Sequence, residues 1–317
     1  MKYFWFRTWL LIIAMAMAAA MLPACGEKEP QKLTIGLLPI IDSLPFYVAE
    51  QQGYFKDEGL QVEFVTFTSA LERDTALQTG QTDGQLADLI ATGLLNKDQE
   101  RVKIVKSTYA ATPQRAMISL IAGPGGKISS PADLRGKKIG VSENSLIDYI
   151  TDELLGTAGL SAKDVQKVGV PSIAVRMQML TQGQLDAATL PDPFATLAVQ
   201  SGGFVVLSDS AERIGVSVLE FRKEVLEKQK DAVKRLVRAH EKGVKAVNAS
   251  PEKYRALLVE KARLPDVVKE SFPVPAFPEN AIPSKADVKR AVDWMMKVRM
   301  LPRALSYEQM VDTSYLQ

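Results

Sequence analysis

Pro45-Phe46-Tyr47-Val48-Ala49-Glu50-Gln51-Gln52-Gly53-Tyr54-Phe55-Lys56-Asp57-Glu58-Gly59-Leu60 lies between two short β-rich runs, residues 33–38 and 62–66. Proline suits the first turn of a helix, where its missing N–H would have had no intrahelical acceptor. Asp42 or Ser43 supplies a cap ahead of it, and Gly53 supplies a residue able to leave the helix left-handed. Strand, helix and strand in that order form a βαβ unit, the building block of a parallel sheet. The loop 39–44 then ends on free backbone N–H groups at a helix start.

Working outward, the same rhythm predicts a helix at 71–79, a strand near 84–86, a helix at 88–95 and a strand at 102–108. It restarts after Ala110-Ala111-Thr112-Pro113. Strands at 116–122, 138–141, 165–168, 185–189 and 204–207 alternate with helices at 145–156, 173–182 and 193–202. Residues 215–221 read as a strand returning to the first set. Beyond Lys223, Val233, Leu236, Val237, Val244 and Val247 fall at three- and four-residue spacing. That spacing, with the segments 254–262 and 288–298, predicts packing helices. The proline-rich stretch 272–278 keeps its aromatics and reads as an ordered loop.

Roughly 285 residues after the N-terminal segment exceed the usual size of a single core, so two lobes are expected. The organisation is residues 33–110 with 213–317 as lobe 1 and 111–212 as lobe 2. They are joined by crossings near 109–114 and 209–214. A ligand cleft between such lobes sits at the carboxyl ends of the strands.

Lys2 and Arg7 precede a short apolar core, 10–21, followed by Leu22-Pro23-Ala24-Cys25. Residues 1–24 therefore read as a secretory signal, since a dozen apolar residues fall short of the roughly 20 that a spanning helix needs. Cys25 is the only cysteine, which excludes an internal disulfide. Residues 25–32 are polar and read as a tether. Removing Lys2 and Arg7 from the 39 basic residues leaves 37, equal to the 37 acidic ones. A balanced surface offers nothing to nucleic acid.

The motif at 45–60, Leu134-Arg135-Gly136-Lys137-Lys138-Ile139-Gly140-Val141, and Gln182-Gly183-Gln184-Leu185-Asp186-Ala187-Ala188 leading to Asp192-Pro193-Phe194-Ala195 together resemble the periplasmic-binding-protein type II fold. Within it they resemble the substrate-binding lipoproteins of ABC transporters that take sulfonates, taurine, nitrate or thiamine-type pyrimidines. Leu22 to Cys25 likewise resembles the lipobox of bacterial lipoproteins. The resemblance implies two α/β lobes joined by a two-crossing hinge, closure on a small-molecule ligand, and partnership with an ABC permease and ATPase. It further implies a monomer without cofactor or metal, in the periplasm or another extracytoplasmic space. Acylation of Cys25 would anchor it to the membrane, two acyl chains giving stable attachment.

In the family the loop after the first strand lines the ligand site, which makes Asp42, Ser43, Phe46 and Tyr47 candidates, the two aromatics with core packing as the plain alternative. Strand-to-helix turns add Ser69, Asp88, Ser142, Asn144, Ser145 and Asp192, each also a natural helix cap. Asp42, Asp88 and Asp192 would make the rim acidic and favour an aminopyrimidine or amine. Arg115 and Arg176 are possible anion contacts, able to grip a carboxylate or sulfonate as a fork, although each reads first as a solvated surface charge. Were either to face the cleft, an anionic ligand becomes the better reading. Tyr109 at the hinge and Tyr149 on the second-lobe helix could stack on a planar ligand.

His240, the only histidine, lies in Arg238-Ala239-His240-Glu241-Lys242 and reads as part of a solvated helix face. One histidine and one cysteine supply neither a nucleophile pair nor a zinc cluster, and no glycine-rich nucleotide motif follows a strand. An enzyme on the same fold is thereby disfavoured. A ligand sensor for a membrane signalling partner would have the same soluble sequence, so that alternative stays open.

Overall fold

The computed structural model describes residues 30–264 and 266–316. Cys25 and the segment 1–24 lie outside the described residues. Among the described residues ten strands form: β1 (Gln31–Leu37), β2 (Leu60–Thr66), β3 (Gly84–Asp88), β4 (Val102–Ala110), β5 (Ile118–Ala122), β6 (Lys138–Val141), β7 (Gln166–Gly169), β8 (Ala187–Pro191), β9 (Phe204–Ser208) and β10 (Val216–Arg222). They build two mixed sheets, ordered β2-β1-β3-β10-β4 and β7-β6-β8-β5-β9. In the first, β1 runs parallel to β2 and β3, and β10 returns antiparallel between β3 and β4. The second mirrors it, with β6 parallel to β7 and β8 and β5 antiparallel to β8 and β9.

β1 begins two residues earlier than the hydrophobic pattern suggests. Gln31 and Lys32 are exposed but continue the ladder opposite Leu60 and Gln61. Backbone pairing thus extends past the buried alternation of Leu33, Ile35 and Leu37 that made the strand legible. The register of β10 sets Ser217 opposite Asp88 and Glu220 opposite Gln85, so a polar residue of the returning strand meets the carboxyl end of β3.

The helices that position the cleft are α1 (Leu44–Gln51), α2 (Ala70–Gln78), α3 (Leu89–Leu95), α4 (Leu146–Thr157), α5 (Ile173–Thr181), α6 (Phe194–Gln200), α7 (Lys230–Ala249) and α8 (Lys285–Lys297). Pro45 and Gly53 occupy the expected start and exit of α1, Gly53 with φ of 76°. Neither Asp42 nor Ser43 caps it. The Ser43 hydroxyl donates to the Leu38 carbonyl at 2.8 Å instead, and Asp42 accepts from the Ser217 hydroxyl.

His240 corrects the sequence reading. It is wholly buried, not solvated, because it falls on the apolar stripe of α7 at the spacing of Val233, Leu236, Val237, Val244 and Val247 and meets α1 through Phe46. Of the charged residues around it, Arg238 and Lys242 reach Glu58 at the surface while Glu241 is buried against Lys106, and their abundance hid the stripe.

The chain passes between the sheets twice, through residues 111–117 and 209–215. Asp209 at the second crossing accepts from the backbone N–H of Met117 at 2.9 Å and of Ile118 at 3.1 Å, which ties the crossings together. Among the described residues no helix is long and apolar enough to cross a membrane, and no cluster of His, Cys, Asp and Glu could hold a metal ion.

Candidate functional site

A cavity of about 70 Å³ opens between the two sheets at the carboxyl ends of β1, β3, β6 and β8. At roughly 10–15 Å³ for each enclosed water, it holds on the order of five to seven of them. The first sheet and its helices contribute Asp42 from the loop after β1, Arg73 from α2, Asp88 from the end of β3 and Ser217 from β10. Facing them are Ser142, Ser145 and Ile147 around the start of α4, Ile173 and Arg176 on α5, and Pro191 from β8. Leu38, Ile40, Met117 and Ile118 complete an apolar floor.

The four charged groups differ in how they are compensated. Arg73 is buried, its Nε and Nη2 donate to Asp74 Oδ1 at 2.9 and 2.8 Å, and its Nη1 donates to the Leu86 carbonyl at 2.9 Å. Burial alone would lower its pKa, but Asp74 and Asp88 outweigh this and raise it. Asp88 caps α3, with Oδ1 accepting from the N–H groups of Ile90 at 3.0 Å and Ala91 at 2.9 Å. Its Oδ2 stands 3.8 Å from Arg73 Nη2. Burial raises the Asp88 pKa against the pull of Arg73.

Among the described residues Asp42 has no ion-pair partner. Burial pushes its carboxyl up to about 6, opposed chiefly by the hydrogen bond from Ser217. Arg176 is 0% exposed, and the expectation of a surface charge fails because its aliphatic stem lies across β6. A Cβ at Gly140 would come within 3.1 Å of Arg176 Cγ, so the bare backbone there makes room for it. Arg176 Nε donates to the Thr189 carbonyl at 3.0 Å and Nη1 to the Val170 carbonyl at 2.6 Å. Nη2 is buried without a hydrogen-bond partner, and burial lowers the guanidinium to about 10.

Of the other candidates, Ser145 caps α4, accepting from Ile147 N–H at 3.2 Å, and donates to the Ser142 carbonyl at 2.6 Å. Asn144, at φ of 56°, lines an adjoining cavity with Asp74 and Glu143. Ser69 caps α2 through Glu72 N–H. Phe46 and Tyr47 pack edge-on against Phe64, at 6.1 and 5.2 Å between centroids, and lie in the core rather than along the cavity. Tyr109, Arg115 and Asp192 line a separate hinge-side cavity. There Arg115 stands 3.7 Å from Asp192 and 4.7 Å over the Phe272 ring. Tyr149 packs on Trp294, with centroids 5.3 Å apart.

The structure thus brings together Asp42, Asp88, Ser142, Ser145 and Arg176, and adds two residues that sequence reading missed. Arg73 shares the buried face of α2 with Ala76 and Leu77, so a charge at apolar spacing was the available signal. Ser217 is a lone hydroxyl in the apolar run of β10.

The family model described as NMT1/THI5 like matches residues 40–254. A Brucella abortus protein described as a binding protein is 28% identical over 265 residues, 80% of each chain. A Haemophilus influenzae protein described as a thiamine biosynthesis protein is 30% identical over 150 residues, 46% of this chain and 45% of its own. In structure, the alkanesulfonate-binding protein of Xanthomonas axonopodis pv. citri bound to MOPS superposes with a TM-score of 0.76 at 18% identity, covering 90% of this chain and all of that one.

Proposed function

Because this chain belongs to the NMT1/THI5-like family and carries the α/β fold of the periplasmic binding proteins, we propose that it is the extracytoplasmic solute-binding component of an ABC importer. The observation that carries this is a cavity between the two sheets, lined by Asp42, Arg73 and Asp88 on one side and by Arg176 on the other. Lobes 33–110 with 213–317 and 111–212 close on the solute, and the closed form is what the permease and its ATPase recognise. Closure follows only when the solute binds the closed state more tightly than the open one. The protein is a monomer held at the membrane by acylated Cys25, and it performs no chemistry on what it carries.

The solute is a small nitrogenous compound whose donor meets Asp42, the cavity carboxylate that no arginine among the described residues pairs, and Arg176 on the opposite wall lets it carry an anionic group as well. The buried carboxyl of Asp42, held only by the Ser217 hydroxyl, supports this, as does the description of the Haemophilus influenzae relative. The test is a thermal-shift panel of pyrimidines, amines, sulfonates and aromatic acids on the chain without its signal segment and with Cys25→Ser. A solute at 100 times its Kd stabilises by about 2.7 kcal/mol. Small-angle scattering with a stabilising solute should report a smaller radius of gyration; an unchanged radius would reject closure.

A further inference from the structure

We propose that the solute is dipolar, with a nitrogen donor held by Asp42 and a carboxylate or sulfonate held by Arg176. The inference rests on the solute-capture reading above and assigns the far end of the molecule. Four ionisable side chains line the cavity, and two of them are already matched, since Arg73 stands between Asp74 and Asp88. The remaining two are not. Asp42 has only the Ser217 hydroxyl, and among the described residues no carboxylate pairs with Arg176, whose partners are backbone carbonyls.

These two unmatched charges come from opposite sheets and face the same small space. A buried guanidinium with an orphan donor is costly unless something accepts from it, and a planar oxyanion fits the fork of an arginine. The Nη2 of Arg176 is that orphan donor. A solute bearing only an amine would satisfy Asp42 and place a second cation beside Arg176. A solute bearing only an oxyanion would satisfy Arg176 and meet two carboxylates. One compact molecule with both ends satisfies both sides and bridges the sheets, which is what closure requires.

The experiment is isothermal titration of the purified protein with size-matched probes. The dipolar probes are 2-aminoethanesulfonate and 3-aminopropanoate; the one-ended probes are ethanesulfonate, propanoate, ethylammonium and 4-aminopyrimidine. The dipolar probes should bind roughly ten- to a hundredfold more tightly than the one-ended ones, the worth of one charged hydrogen bond. Arg176→Lys should remove most of that advantage, and Asp42→Asn should bring the dipolar probes down to the level of the oxyanions. Arg176 also braces β8, so the comparison among probes on the unaltered protein stands if the variant does not fold.

Ethylammonium or 4-aminopyrimidine binding as tightly as the dipolar probes would overturn the inference and leave solute capture intact. If none of the six binds, the inference fails. Solute capture itself fails only if the wider thermal-shift panel is silent as well.

Discussion

The ring of His240 lies 4.2 Å from the ring of Phe46, where α7 meets α1, and neither of its nitrogens has a hydrogen-bond partner among the described residues. Burial, helped by Lys106, holds its pKa well below the ordinary value, so it is neutral when folded. The unfolded chain takes up a proton near pH 6.5 and the folded one does not. Stability therefore falls as pH drops below about 6.5, by up to ~1.4 kcal/mol for each pH unit. His240→Phe removes that loss and two unsatisfied nitrogens, and should stabilise by about 1 kcal/mol or more at pH 7. Urea denaturation at pH 7 and pH 5 should show a shallower acid decline than the wild type. Asp42 and Asp209, both pushed up to about 6 by burial, titrate in the opposite sense but are common to both proteins. Equal slopes would mean that the imidazole finds a proton acceptor in the core.

Gly243 sets the distance between α7 and α1. A Cβ there would strike the Pro45 carbonyl and lie 3.2 Å from Ala49 Cβ. Gly243→Ala gains about 1 kcal/mol of helix propensity but forces the helices apart at a cost of about 1–3 kcal/mol. A lower Tm is expected. The loop carrying Asp42 leads directly into α1, so weaker solute binding should accompany it. A Tm at or above that of the wild type would show that the helices separate freely.

The alternation of β-rich and amphipathic runs placed all ten strands, because strand and helix periods are local properties of the chain. The same locality explains what was missed. Whether Arg176 is solvated depends on the bare backbone at Gly140, which lies on a strand far from it in sequence. Arg73 belongs to the cavity because β3 brings Asp88 to it, and Ser217 because β10 returns with Ser217 opposite Asp88. Asp192, which sequence alone groups with Asp42 and Asp88, lies instead in the hinge-side cavity beside Arg115. Turn residues could be nominated from their types, but which cavity each one faces is fixed by packing across the hinge.

The carboxyl of Asp42, pushed up to about 6, makes solute capture sensitive to pH. A cationic donor needs the ionised carboxylate. Affinity should be full above pH 7 and fall by up to about tenfold for each pH unit below 6. Titration of 2-aminoethanesulfonate, whose ammonium and sulfonate both stay ionised between pH 5 and 8, should trace this, and Asp42→Asn should bind it weakly and flatly across the range. A wild-type profile without a break near 6 would remove Asp42 from the site.

Asp88→Asn and Asp192→Asn separate the two cavities. Asparagine caps a helix as well as aspartate does, so each variant keeps the hydrogen bonds that start α3 or α6. In the cleft, Asp88→Asn takes away one of the two carboxylates beside buried Arg73, at a cost of about 1–3 kcal/mol, and lowers solute affinity. At the hinge, the Arg115–Asp192 pair is partly exposed and 3.7 Å apart, so its loss should change stability by less than about 1 kcal/mol. Solute affinity should stay within twofold of the wild type in Asp192→Asn. Equal weakening in both variants would move the solute into the hinge-side cavity, where Tyr109 and Arg115 would have to hold it. Weakening in Asp88→Asn alone fixes it between the sheets, where Asp42 and Asp88 on one side and Arg176 on the other meet across a space small enough to be closed by a single bound molecule.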